Sequence, residues 1–418
     1  MNLIKISVLN GVAVLIKTAT MFILNKILAV YVGPAGYAAI GQFQNFIQMV
    51  TSFAGSAINT AIIKYTAEYH DDRQKQINIW KTSGSIILIS SLFSAFLIIV
   101  FQNQIALYVF HSLEYKAVLV WFSCFLIFFT FNSFILAILN GLQEMKKLVI
   151  VNIMGSIFSL ILTSLLAIYY NLYGALVALS IYQSLAFIVT ILLCSKLNWL
   201  VLSNFFGKID KEITKKLAAF ALMALVSVFF GNMAQILLRN LIIDQFGLVH
   251  AGYWDAMTRL SNGYLLFAST VLGVYYLPKL SQLKRYQEVK TEVLLGYKFI
   301  LPVAIVSSVL IYIFRDFVVK TLFTEDFLPM LELMVWQLIG DVTKIGSWIV
   351  SYMMLSKAMT GIFVVTETIF ALSILPITYV SITYFGFKGI AIAFFINCLI
   401  YWIVCGFFSM IKLKSLEP

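Results

Sequence analysis

Lys17 and Lys26 stand in an otherwise apolar stretch of the first half of this chain. Asp255, Arg259, Asp341, Lys344 and Glu367 stand in such stretches of the second, with Arg239 at the outer end of another. A charge in the middle of a hydrocarbon slab costs on the order of 2.5 to 3.5 kcal/mol, so each of these groups needs a partner, a wet cavity or a charged cargo. Lysine meets phosphate oxygens as a compact point charge and imposes little geometry on them. A buried carboxyl can change protonation when its exposure to water changes. Lys17, Lys26, Arg239, Arg259 and Lys344 are therefore candidates for holding an anion, and Asp255, Asp341 and Glu367 for coupling an ion. The halves differ in kind, because the first half's acids Glu68, Asp71, Asp72, Glu114 and Glu144 all fall between its apolar runs.

Spacing groups these residues on helix faces, since positions three and four apart lie on one side. Gly41, Asn45, Gln48, Ser52, Ser56 and Asn59 form one such stripe. Gly41, Ser52 and Ser56 read as helix packing, because small and hydroxyl residues hold helices together in lipid. Asn45 and Gln48 are bulkier amides that serve packing or cavity lining equally well, and they join the substrate-binding candidates. Asp255, Arg259 and Asn262 share a second face, and Gln337, Asp341, Lys344, Trp348 and Ser351 a third. Each acid and base there can also simply neutralise its neighbour. Lys17 has no acid in its own half's runs to do so, and Lys26, near the outer end of its run, can snorkel to the headgroups. Glu367, two turns in from the cytoplasmic end of its run, is either a packing acid or a proton carrier.

The elements that must position these groups follow from composition. Of 418 residues, 61% are hydrophobic and 11% charged, against roughly 25% charged in a soluble protein. A bilayer core needs about 20 apolar residues per helix, and twelve runs meet that need: 8–32, 36–62, 82–101, 117–139, 148–170, 173–195, 217–238, 252–277, 295–314, 332–355, 361–383 and 388–411. Backbone groups in lipid must bond within their own segment, so the runs are helices, and they are too long and too evenly apolar for barrel strands. The second half also echoes the first about 215 residues on. Gly33 and Ala35-Gly36-Tyr37 recur as Gly247 and Ala251-Gly252-Tyr253, Lys64 as Lys279, and Gly174 and Ala178 as Gly389 and Ala393.

The net charge of +11 is placed for a membrane rather than for nucleic acid. With a cytoplasmic N-terminus, the inner loops and tails hold Arg73, Lys75, Lys146, Lys147, Lys208, Lys211, Lys215, Lys216, Lys284, Arg285, Lys412 and Lys414, while Lys116, Arg239, Arg315, Lys320 and Lys388 fall outside. This positive-inside bias puts both termini in the cytoplasm. The expected fold is an all-α integral membrane protein, with twelve transmembrane helices in two six-helix lobes related by a pseudo-two-fold along the membrane normal. The lobes are residues 1–200 and 217–418, joined by a basic cytoplasmic linker at 201–216. The first run is too long for a signal peptide and is expected to remain as a span.

Other chemistries find no support in the residue pattern. Cys124, Cys194, Cys398 and Cys405 all lie in apolar runs without metal-ligand spacing and read as small buried hydrophobes. His70, His111 and His250 are scattered, and there is no phosphate-binding glycine loop. No metal, cofactor or nucleotide-hydrolysing machinery is expected.

The stretches GPAGY at 33–37, KYTAEYHDD at 64–72, RDF at 315–317 and WQLIGDVTKIG at 336–346, set in this twelve-span layout, resemble the Wzx-type lipid-linked oligosaccharide flippases. These belong to the multidrug/oligosaccharidyl-lipid/polysaccharide exporter superfamily, and the likeness is strongest to the branch that handles enterobacterial common antigen lipid III. It implies movement of an undecaprenyl-pyrophosphate-linked oligosaccharide across a bacterial inner membrane by alternating access with proton or sodium antiport, beside membrane lipid and a polysaccharide polymerase. Lys17, Lys26, Asp341, Lys344 and Glu367 fall where that branch carries charges. Asp255 and Arg259 do not, so an O-antigen unit suits the chain as well as lipid III does.

Competing functions are distinguished by the same residues. A multidrug antiporter of the same superfamily, exporting organic cations, should carry an acid in the first lobe, where this chain has lysines. A polymerase or ligase should carry a large outer loop with catalytic Arg or His, but the outer loops near 102–116 and 315–331 are short and offer only His111 and Arg315. Nothing suggests the ring of a channel filter.

Overall fold

The computed structural model describes residues 3–283, 285–357 and 359–414; Lys284, assigned above to an inner loop, lies outside them. The described residues are helical, with no strand among them. In chain order the helices are α1 (Leu3–Phe53), α2 (Asn59–Glu68), α3 (Arg73–Val100), α4 (Gln102–Phe110), α5 (Lys116–Gly141), α6 (Met145–Cys194), α7 (Lys211–Phe246), α8 (Leu248–Val271), α9 (Leu277–Gln282), α10 (Tyr286–Ile313), α11 (Arg315–Leu322), α12 (Leu331–Ser356), α13 (Thr360–Phe385) and α14 (Gly389–Lys414).

Twelve spans are laid out along these helices. α1 is two spans meeting at Gly33, whose φ of 68° breaks the helix just ahead of Pro34. α6 is two spans meeting at Asn171, with φ 50°. Seven continuous helical stretches are long and apolar enough to cross a membrane, and α1, α6 and the α13–α14 stretch each hold two spans. The remaining two spans, α8 and α12, are the ones that carry Asp255, Arg259, Asp341 and Lys344.

The internal repeat is present in the backbone as well as in the residues. α3 and α10 each run 28 residues, and α5 and α12 each run 26. The turns match too: Gly33 pairs with Gly247 (φ 68° and 85°), and Asn171 with Gly386 (φ 50° and 59°). Positive φ with ψ this far from the left-handed helical well, −133° at Asn171 and −141° at Gly386, suits glycine, and the copies share the conformation while only the second places a glycine there. After each of the latter turns a glycine lets two chain segments close up. A Cβ on Gly174 would lie 1.9 Å from the Leu166 carbonyl oxygen, and one on Gly389 would lie 2.4 Å from that of Ser381. The connections after α3 and α10 are helical rather than irregular, folding as α4 and as α11 with the 3-10 turn Glu325–Met330.

The chain forms two compact units, residues 1–32 with 39–232, and residues 33–38 with 233–418. In the first, Trp80, Phe134, Trp199, Phe205 and Leu217 meet in one core with Ile62 and Ile138. The segment that follows α6 is part of this unit's packing. Ser85 Oγ donates to the Gly207 carbonyl at 3.0 Å and the Asp210 amide donates to Thr82 Oγ1 at 3.3 Å, so the chain from 205 to 210 lies along α3. In the second unit Tyr276, Ile349, Met353, Met354, Tyr401 and Cys405 form a comparable core.

Many large side chains are exposed, among them Phe93, Phe96, Phe299, Val303, Ile403 and Phe407. Exposure of this extent on a soluble protein would mark an interface; on these helices it is the face turned to lipid. The same reasoning corrects one expectation. Cys194, Cys398 and Cys405 are buried, but Cys124 is exposed, because an apolar residue in a bilayer has no need of protein cover.

Candidate functional site

The buried charge of the second unit is organised by α8 and α12. On α12, Gln337, Asp341 and Ser351 are buried while Val335 and Ile339 are exposed, so the polar face points inward and the apolar face outward. That inversion is what a bundle in lipid requires of its ionisable residues. On α8, Asp255 and Ser261 are buried and Arg259 and Tyr264 half-buried.

Asp341 is 0% exposed, and its oxygens are filled by neutral donors. Ser261 Oγ donates to Oδ2 at 2.6 Å, Tyr264 OH donates to the same oxygen, and Gln337 Nε2 reaches Oδ1 at 3.3 Å and Ser261 Oγ at 3.2 Å. The two hydroxyls can donate to a carboxylate or accept from a carboxylic acid, so one cage serves both protonation states. Among the described residues no ion pair joins Asp341 and Lys344, so direct pairing, one of the two readings of this face, is not what holds the carboxyl. The Lys344 ammonium instead lies 5.3 Å from the Trp348 ring centre and 5.6 Å from that of Phe394.

Glu367, half-buried on α13, has a similar environment. It accepts from Tyr401 OH on α14 and from Ser351 Oγ at 3.4 Å, and Ser351 and Tyr401 are themselves 2.7 Å apart. One face of α12 thus serves both carboxyls, through Gln337 at one end and Ser351 at the other.

Asp255 and Arg239 form a closed pair. Arg239 Nε and Nη2 meet the two carboxylate oxygens at 2.8 and 2.6 Å, and both side chains are almost fully buried, with the guanidinium 5.3 Å from the Trp254 ring centre. Arg239 was expected at the outer end of its span. α7 continues to Phe246, which places Arg239 inside the helix. The acid therefore finds its bidentate partner on a neighbouring helix rather than four residues along its own. The Arg259 guanidinium lies 5.2 Å from the ring centre of Tyr37, which is itself edge-on to Phe323 and Phe327 at 5.9 and 5.1 Å. Close backbone approach makes this possible, because Gly252 leaves room for the Pro34 carbonyl where a Cβ would meet its oxygen at 1.7 Å.

In the first unit, Lys17 is exposed and Lys26 half-buried along the first limb of α1. Asn45 is half-buried and Gln48 exposed on the second limb, while Gly41 and Ser52 are buried in the same stripe. At the far end of the stripe, Asn59 Nδ2 donates to Ser133 Oγ on α5 at 2.7 Å, which is helix packing. The hydroxyls Ser261, Tyr264 and Tyr401, which hold both carboxyls, were missed at the level of sequence. They reach across from other helices, and helical spacing reports only one helix at a time.

Comparison with known proteins follows from this geometry. The family described as "Polysaccharide biosynthesis protein" matches residues 3–284. The lipid III flippase of Escherichia coli (strain K12) is 28% identical over 99% of this chain and 100% of its own length. Among solved structures, an inward-facing multidrug resistance MATE family transporter of the MOP superfamily superposes with a TM-score of 0.76 at 16% identity, covering 96% of this chain and 95% of its own. The lipid II flippase MurJ, in an inward closed conformation, gives 0.74 at 15% identity over 99% and 90%. At those identities the two structures speak for the twelve-helix fold alone.

Proposed function

The chain belongs to the polysaccharide biosynthesis protein family, and from that membership we propose that it flips an undecaprenyl-pyrophosphate-linked oligosaccharide across a bacterial inner membrane by ion-coupled alternating access. The cargo is an O-antigen unit or enterobacterial common antigen lipid III. The observation that carries the reading is the charge of the first half, whose spans hold Lys17 and Lys26 and no acid. That suits a pyrophosphate. Arg259 and Lys344, each set against aromatic rings, add cations in the second half, with Asn45 and Gln48 as amide contacts for sugar or phosphate oxygens. The full-length likeness to a lipid III flippase supports the same cargo class.

Asp341 is the residue we assign to proton uptake and release, with Glu367 as the second such group, because both are held by hydroxyls that accept either protonation state. The Arg239–Asp255 pair closes on itself and serves as a strut beside Arg259 rather than as a free anion site or coupling site. Both termini and the basic loops face the cytoplasm, and a polysaccharide polymerase receives the product on the other side. The likeness to a MATE family transporter favours a second reading, export of organic cations. The lysines of the first half oppose it. Deleting the protein in its own host separates the two: we expect loss of surface glycan and accumulation of the undecaprenyl-pyrophosphate-linked repeat unit, whereas intact glycan with raised drug sensitivity would favour the cation pump.

A further inference from the structure

A second cationic site lies away from these groups, at the lysine-rich end of the first unit. Tyr65, Glu212, Lys215, Lys216 and Phe220 line an open cleft of about 540 Å³, within the size range of small-molecule sites. Lysines crowd onto its aromatic rings. The Lys64 ammonium is 4.9 Å from the ring centre of Tyr65 and 5.1 Å from that of Phe220. The Lys216 ammonium is 5.9 Å from Tyr65 and 3.4 Å from the hydroxyl of Tyr69, and Lys75 lies 5.8 Å from the Tyr69 ring. Lys75 already pairs with Asp72 at 3.0 Å. Among the described residues, no carboxylate lies within ion-pair distance of Lys64, Lys215 or Lys216.

The Lys64 and Lys216 ammonium groups share the Tyr65 ring and repel one another, and the ring faces, with Glu212 on the cleft wall, offset only part of that cost. Their position adds a second constraint. Lys64 is near the end of α2, and Lys215 and Lys216 directly precede the buried Leu217, where the apolar run of α7 begins. The cleft therefore combines lysines with the apolar Phe220 beside the start of the apolar run of α7, the composition expected of a headgroup-level site.

From this arrangement we infer that the Lys64–Lys215–Lys216 cleft binds the phosphate of an anionic phospholipid of the surrounding leaflet. Lysines act as point charges and accept a phosphodiester in many orientations. The exposure of the cleft makes it a weak site, and by mass action a weak site fills with an abundant ligand. Bulk phospholipid meets that condition, and a scarce polyprenyl carrier does not. The assignment stands apart from the proposed transport, since lipid binding is read without any flipping.

The test uses the full-length protein in nanodiscs of phosphatidylcholine with a minor share of phosphatidylglycerol, followed by native mass spectrometry of the lipids that stay bound on release. Lys64→Gln/Lys216→Gln should lower phosphatidylglycerol retention about tenfold, on the scale expected when two interfacial lysines are lost. Lys64→Arg/Lys216→Arg should retain it, and Lys208→Gln, an exposed loop lysine outside the cleft, should behave as wild type. Size-exclusion profiles establish that each variant is folded. Unchanged retention in the double Gln variant, or an equal fall in Lys208→Gln, would overturn the site. Dependence on Lys64 and Lys216 for added undecaprenyl pyrophosphate but not for phosphatidylglycerol would overturn the assignment to bulk lipid.

Discussion

Lys17 is exposed on α1, in a run that carries no acid, and in the function we propose its ammonium meets the anionic part of the cargo. Lys17→Ala should abolish surface glycan export while the protein remains in the membrane, measured by glycan staining beside an immunoblot of the membrane fraction; full export would remove the anion role. Asp341→Asn keeps the shape of the hydroxyl cage and removes the titrating group. It should eliminate the dependence of transport on the proton gradient, and unchanged dependence would transfer that role to Glu367. For the bidentate pair, Asp255→Ala removes the carboxylate that neutralises a buried guanidinium and should cost about 3 to 5 kcal/mol, read as reduced thermal stability in detergent. Adding Arg239→Ala should recover part of that loss. The charged residues themselves were legible in the sequence, because charge in an apolar run is conspicuous. Their partners were not: Asp341 is held by Ser261 and Tyr264 of α8, Asp255 by Arg239 of α7, and Glu367 by Tyr401 of α14, all contacts between helices.

The helices owe their ends to a few local devices that the copy preserved. Gly33 has a left-handed φ and open space around it, so Gly33→Ala should cost only the backbone term, about 1 to 2 kcal/mol. Gly252→Ala places a Cβ against the Pro34 backbone and should cost about 1 to 3 kcal/mol through overpacking, while also displacing Tyr37 from beneath Arg259. Comparison of the two variants by thermal unfolding separates backbone strain from close approach. At the start of α3, Asp72 Oδ1 accepts from the Lys75 amide at 3.0 Å, and that bond, with the Lys75 side chain beside it, holds the Asp72 carboxyl below its usual pKa. A lowered folded pKa means the cap is intact above the ordinary carboxylate range and is lost as pH falls through the lowered value. Amide protection factors at Gln74–Ile77, corrected for the intrinsic slowing of exchange at low pH, should therefore fall on acidification, and Asp72→Asn should flatten that response. Repeats and span count were legible because apolar run length and turn glycines are properties of the local chain. The continuity of α1 and of α6 across their breaks, and the folding of the connections after α3 and α10 into α4 and α11, were not, since neither is marked by residue type.

For the whole molecule, two units of matching helix lengths carry different charges: lysines without acids in the spans of one, caged carboxyls and aromatic-backed cations in the other. In the function we propose, the lysines of the first half hold the anion and the caged carboxyls of the second couple the ion. The orientation we propose from the basic loops predicts that a single cysteine placed at Lys208 reacts with an impermeant maleimide only from the cytoplasmic side, and labelling from the other side would reverse it. The most direct measurement is made on purified protein in liposomes, with an undecaprenyl-pyrophosphate-linked repeat unit in the inner leaflet and a glycan-modifying enzyme outside. With an imposed proton gradient, the wild type should make the glycan accessible to the enzyme and Lys17→Ala should not. Equal accessibility with and without the wild-type protein, or transport of an organic cation in place of the lipid-linked glycan, would contradict the assignment.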